Sequence, residues 1–151
     1  MAAIPSFGSS LKMGATGAGN TYTLPTTAVG EVTSLNLDGL TAATIDVSNI
    51  TSRFRQFIPG IIDSGTISCE VNLDADDTQQ AAIIDLLDAS ASAPTPRSFL
   101  LEYGDANNKG AKFECVGIVT SMSFKGAVGE AVTASISIKL TGSINFVDVD
   151  A

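Results

Sequence analysis

From Thr66 to Leu73 the sequence TISCEVNL alternates without error, with Ile67, Cys69, Val71 and Leu73 on one side and Thr66, Ser68, Glu70 and Asn72 on the other. The segment from Val132 to Leu140 repeats the pattern: Val132, Ala134, Ile136, Ile138 and Leu140 alternate with Thr133, Ser135, Ser137 and Lys139. A period of two sends successive side chains to opposite faces of a strand, so each segment must sit in a sheet with one dry face and one wet face. The strands are joined by hairpin-length turns and by loops too short for most parallel crossovers, so the sheet they sit in is expected to be antiparallel.

The other segments fit around these two. Glu31–Asp38 and Ala43–Ser48 are strand-like on either side of Gly39 and are expected to pair as a hairpin. Asn49 to Asp63, NITSRFRQFIPGIID, reads as a long loop. Residues 76–89 form the one convincing helix: Ile83, Leu86 and Leu87 recur at helical spacing, and Asp74, Asp76 and Asp77 stand where N-cap and first-turn acids belong. Ser98–Tyr103, Lys112–Phe124 and a short segment at Ile144–Phe146 complete about seven strands, with turns at 104–110 and 126–129. The fold class is mainly β: an antiparallel β-sandwich or partial barrel with one flanking α-helix. At 151 residues the chain makes one domain. Residues 1–30 read as a flexible, glycine-rich arm with one short strand near Ser9–Met13, and 147–151 as a short tail.

Composition removes whole classes of chemistry. There is no histidine and no tryptophan, so Ser-His-Asp and Cys-His catalysis and histidine metal sites are excluded. The acidic run Asp74 to Asp85 looks like a calcium loop only superficially, because Gln79 stands where a glycine is required and Asp85 where a bidentate glutamate is required. Gly14 to Asn20 has a phosphate-loop flavour but lacks the Lys-Ser/Thr ending. No enzyme activity, cofactor or metal is expected. A pair of carboxylates arranged for glycoside hydrolysis would need a cleft with aromatic platforms, and Tyr22 and Tyr103 are the only tyrosines. Cys69 and Cys115 are expected to be buried thiols. No window approaches the roughly 20 apolar residues of a membrane span, and Met1 to Gly19 lacks the features of a signal peptide.

Charge is distributed unevenly. The net formal charge is -8, which opposes tight binding of a polyanion. Between Arg55 and Arg97 lie Asp63, Glu70, Asp74, Asp76, Asp77, Asp85 and Asp88, with no base among them. The preceding segment holds Arg53, Phe54, Arg55, Phe57 and Ile58. Arginine and phenylalanine together are residues of interfaces. The alternative is that Phe54, Phe57 and Ile58 fold back and cap the core.

The order of elements, the segment IPGIIDSG (Ile58–Gly65) leading into the first alternating strand, the helix opening DDTQQ, and the closing KLTGSI (Lys139–Ile144) together resemble the major tail tube proteins of long, flexible-tailed bacteriophages. That resemblance covers the chain from about Ala28 onward. It implies a homohexameric ring, rings stacked into a hollow tube, and a place in the virion tail after assembly in the host cytoplasm. It also implies tape-measure and tail terminator partners and DNA that passes through without specific binding. The segment 49–63 would then reach a neighbouring ring or subunit. Candidates for the lumen are Ser68, Glu70, Asn72, Ser135 and Ser137; Lys139, on the same face, either departs from that lining or pairs with an acid across the sheet. Similar tubes occur in type VI secretion, and a monomeric immunoglobulin-like binding or decoration module is the competing class.

Overall fold

The computed structural model describes residues 9–16, 28–30, 32–87, 96–104 and 110–148. Among them are eight strands and one helix: β1 (Ser10–Thr16), β2 (Val32–Asp38), β3 (Thr41–Asp46), β4 (Phe57–Asp63), β5 (Thr66–Asn72), α1 (Thr78–Leu87), β6 (Arg97–Tyr103), β7 (Ala111–Lys125) and β8 (Thr133–Asp148). Six strands form one antiparallel sheet in the order β1-β6-β7-β8-β5-β2, and β3 and β4 form a separate two-stranded ribbon. Of the two expected forms, sandwich and partial barrel, the sheet adopts the second: it is a curled half-barrel.

The curl follows from two features of the β7–β8 pair. Gly117 lies opposite Leu140, and a Cβ there would stand 2.7 Å from a methyl of Ile138 and 3.0 Å from one of Leu140. The missing side chain lets the two longest strands close on each other. The register also shifts twice, between Glu114 and Val116 and between Val119 and Ser121. Such bulges bend strands and increase their twist. The curl brings distant strands together, so that the Tyr103 hydroxyl on β6 donates to the Leu35 carbonyl on β2 at 3.1 Å.

The dry faces meet inside the curl. Ile67, Cys69 and Val71 of β5 pack with Ala134, Ile136, Ile138 and Leu140 of β8, Phe99 and Leu101 of β6, and Leu11 and Met13 of β1. Both alternating segments therefore bury their predicted residues except at one shared end, where Leu73 and Val132 are exposed. The helix adds Ile83, which is fully buried in the same cluster, a contribution of about 1.5–3 kcal/mol for a side chain of that size. Asp77 is the N-cap: its Oδ1 accepts from the Gln79 amide at 2.8 Å and the Gln80 amide at 3.3 Å. Asp74 and Asp76 precede the helix in a turn closed by the Asp76 amide donating to Asp74 Oδ1. They are not first-turn acids, and the expected helix end at 88–89 lies outside the described residues.

Two sequence expectations are corrected. The segments on either side of Gly39 do not pair with each other: β2 pairs with β5 and β3 with β4. Residues 57–63 are a strand, not part of a long loop. The chain from 32 to 72 is one long hairpin, bent where Gly39 and Gly65 face each other. Both glycines have left-handed φ, 81° and 90°, which other residues adopt only at a cost. The described part of the N-terminal arm is built into the sheet: β1 pairs with β6, and the Val29 amide donates to the Leu11 carbonyl at 2.8 Å. At the other end β8 runs unbroken through Ile144–Phe146 to Asp148.

Candidate functional site

Two surfaces stand out, a polar sheet face and the ribbon. On the wet face the strand register assembles rows. Asn36, Ser68, Ser137 and Ser121 lie side by side across β2, β5, β8 and β7, and Ser34, Glu70, Ser135 and Ser123 form the adjacent row. These rows line an open groove of about 360 Å³. Asn72, Thr133 and Lys125 make the next row. The five residues singled out in the sequence, Ser68, Glu70, Asn72, Ser135 and Ser137, thus share one face. Sequence reasoning missed Ser34, Asn36, Ser121 and Ser123. The first two alternate with Leu35 and Leu37 and were within reach of the period-two argument. The last two were hidden by the extra residue at Thr120, whose hydroxyl donates to the Ser137 carbonyl at 3.2 Å.

The central rows carry a single charge, Glu70. The base-free acidic stretch is therefore not one surface: Asp63 is at the ribbon's base, Glu70 on the wet face, Asp74, Asp76 and Asp77 before the helix, and Asp85 on it. Lys139 pairs with an acid, as one of its two expected roles required. Its Nζ is 2.9 Å from Asp63 Oδ1 and 3.1 Å from Oδ2. The same Oδ1 accepts from the Gly65 amide at 2.9 Å.

This pair clips the ribbon's base to β8, together with a hydrogen bond from Ser64 Oγ to the Gly142 carbonyl and one from the Leu140 amide to the Gly65 carbonyl at 3.1 Å. The hydrogen bond from Lys139, then that from Gly65, holds the Asp63 carboxyl below its ordinary value of 3.8. A depressed folded pKa stabilises fully above the unfolded value and is lost only as pH falls through the folded one. Asp63→Asn should therefore melt below wild type at pH 7, with the two curves converging in calorimetry as pH drops below about 3.8. Added salt should narrow the difference at pH 7, because both side chains are half exposed.

Beyond that clip every residue of β3, and all of β4 except Gly60, is exposed. Arg53 and Arg55 sit at the exposed tip. Phe54 is 84% exposed, Phe57 52%, Ile58 46% and Ile61 88%, so the core-capping alternative does not describe this chain. The tip is nonetheless ordered by its own polar groups. The Asn49 side-chain oxygen accepts from the Thr51 amide at 3.0 Å and the Thr51 hydroxyl at 2.6 Å. Ser48 Oγ accepts from the Gln56 amide at 2.8 Å, and the Val47 amide donates to the Gln56 carbonyl at 2.9 Å. The arm is thus preformed and apolar, so its backbone would need little further ordering on binding.

Among the described residues no group of three or more Cys, Asp or Glu is placed to hold a metal ion. No helix among them is long and apolar enough to cross a membrane. Cys69 and Cys115 are free and buried, and burial pushes their thiols up to about 11 and about 12, far from a reactive thiolate.

This half-barrel with a flanking helix and a projecting ribbon is a fold shared with solved tail and tube chains. No family model and no curated protein matches the sequence, but solved structures match the fold. The chain is similar to one in the tail of an empty gene transfer agent particle with C6 symmetry, at TM-score 0.64 and 18% identity over 91% of this chain and 94% of that one. It is similar to a chain of the sheath-tube complex of an extracellular contractile injection system, at TM-score 0.66 and 10% identity over 97% and 92%. The SPP1 tail tube matches at TM-score 0.62 and 16% identity over 97% and 78%.

Proposed function

We propose that this chain is a structural subunit that assembles with copies of itself into rings stacked as a hollow tube, the tail tube of a virion, through which DNA passes without specific binding. The observation that carries the reading is the ribbon, an ordered arm with Phe54, Phe57, Ile58, Ile61 and Ile62 all in water. An isolated subunit gains nothing by exposing them. The most exposed, Phe54 and Ile61, would each contribute up to about 1.5–3 kcal/mol when buried against a partner, and the half-covered ones less; an exposed ribbon opposes the monomeric immunoglobulin-like module. The tail-tube fold supports the ring, and the C6 symmetry of one similar tail supports six copies per ring. Arg53, Phe54, Arg55, Phe57 and Ile58 would then join subunits or rings. Tape-measure and terminator proteins are the further partners this reading requires, and no enzymatic role is part of it. Because some similar folds come from contractile injection systems, a tube inside a contractile sheath is the second reading; copurification with a sheath protein distinguishes it.

Negative-stain microscopy of the purified chain over a concentration series tests the proposal directly. Rings or tubes are expected, and a strict monomer at every concentration overturns it.

The serine rows with Glu70 are proposed as the lumen. Hydroxyls offer a polyanion weak, interchangeable hydrogen bonds, and the ring of carboxylates adds repulsion, whereas a basic lining would hold it. Glu70 is exposed, so Glu70→Lys should fold and assemble normally. Its tubes should retain double-stranded DNA at low salt and release it as salt is raised, while wild-type tubes retain none. Equal retention by both would remove the rows from the lumen.

A further inference from the structure

The ribbon leaves the barrel at the end of β2 and the start of β5, at Asp38 and Thr66. The opposite end of the half-barrel lies about 20 Å away, six residues along β5 at roughly 3.3 Å each. There the dry face does not close. The Leu73 amide donates to the Val132 carbonyl at 2.8 Å, extending the β5–β8 ladder by one row beyond Asn72 and Thr133. That last row places Leu73 and Val132 in line with the buried Val71 and Ala134, and Phe124 lies opposite Ala134 on β7. Leu73, Phe124 and Val132 are all exposed, as is Val128 in the β7–β8 turn. The core thus surfaces as an apolar patch at the mouth of the half-barrel. Asp74, Asp76 and Glu130 are exposed around it, with Lys125 as the one base in these segments.

The two ends are complementary. One carries exposed phenylalanines and isoleucines with Arg53 and Arg55, and the other an apolar patch with a surplus of carboxylates. We infer that the ribbon tip of one copy docks on the Leu73–Phe124–Val132 mouth of a second copy, with Arg53 and Arg55 facing Asp74, Asp76 and Glu130. This rests on the self-assembly reading and specifies its receiving surface. A contact between two different patches at opposite ends of one subunit is heterologous and does not close on itself. It gives a stack with a direction, in which every ribbon points the same way.

Charge reversal by halves tests it. One variant carries Arg53→Glu and Arg55→Glu, the other Asp76→Lys and Glu130→Lys; Asp74 is left alone because it closes the turn before the helix. Each variant alone sets like charges against each other, and its critical concentration for stacking should rise at least tenfold. Mixed in equal amounts, they present glutamate to lysine at one contact and the wild-type pairing at the next, so stacking should return. A single chain carrying all four changes should also stack. Melting temperatures close to wild type establish that the variants are folded.

Wild-type tubes with variants that stack equally well, or a mixture that fails to recover, overturn the docking and leave self-assembly standing. A wild-type chain that never assembles overturns both.

Discussion

Gly65→Ala is expected to cost about 3 kcal/mol or more of stability, and the facing Gly39→Ala only about 1–2 kcal/mol, although both glycines have nearly the same backbone angle. The shared cost is the left-handed conformation, unfavourable for any residue with a Cβ. The difference is space. A Cβ on Gly65 would overlap the Asp38 carbonyl oxygen and stand 2.9 Å from its carbon, whereas one on Gly39 would meet only the Gly65 Cα, at 3.5 Å. Because the obstacle at Gly65 is backbone, the bend itself must give. Relief would pull apart the hydrogen bonds that Gly65 makes to Asp63 and Leu140. Gly65→Ala should therefore also lose polymerisation when assayed well below its melting temperature, while Gly39→Ala keeps it. Equal losses in urea titration would show that the overlap is relieved without cost.

Gln80→Leu should be comparably severe for a different reason. Gln80 is fully buried, and both polar atoms of its amide are hydrogen-bonded: Nε2 donates to the Gly30 carbonyl at 2.9 Å and the Asn72 carbonyl at 3.0 Å, and Oε1 accepts from the Asp74 amide at 3.0 Å. One side chain thus joins the segment before β2, the end of β5 and the start of the helix. Leucine has a similar volume but leaves three backbone groups unpaired, at about 1–3 kcal/mol for each that water cannot reach. A loss of roughly 3–9 kcal/mol follows where all three stay dry, readable as a fall in the urea midpoint. Gln80→Glu separates shape from polarity. The new carboxyl must be protonated to donate to even one of the two carbonyls, so its folded pKa is raised. That variant should gain stability as pH falls from 7 to 5, whereas the Asp63 clip keeps its full contribution across the same range. A variant with no pH dependence there would mean that water reaches the site.

The parts of the fold legible in the sequence were those whose pattern reports one local fact. Thr66–Asn72 and Thr133–Leu140 each have a single buried face, and alternation records it. The pairing of β2 was misread because hairpin logic favours neighbours in sequence. The deciding signal, two left-handed glycines that carry both strands of a longer hairpin around one bend, lies in Gly39 and Gly65 together and in neither alone. The ribbon reads as a loop in the sequence for a related reason. Phe57, Ile58, Ile61 and Ile62 do not alternate with polar residues, since neither face of β4 is buried within this chain, and a strand with no single buried face leaves no amphipathic trace. On the wet face, Ser68 and Ser137 were recognisable from their own strands. Ser121 was not, because the register change at Thr120 moves it to the other parity. Gln80 was invisible: nothing in DDTQQ announces which glutamine turns inward.

The continuity of the long hairpin has a mechanical corollary. The ribbon is not appended to the barrel by a tether; its two strands run on as β2 and β5. A pull on the tip along the strands moves β2 and β5 the same way, so it would load the antiparallel hydrogen bonds between β5 and β8 together, in shear, because they lie perpendicular to the chain. Peeling would open them one at a time. Through Ser64, Gly65 and the Lys139 clip the same pull reaches β8, the longest strand among the described residues. In a stack joined by these arms, tension between rings would be delivered to the middle of each sheet rather than to its edge.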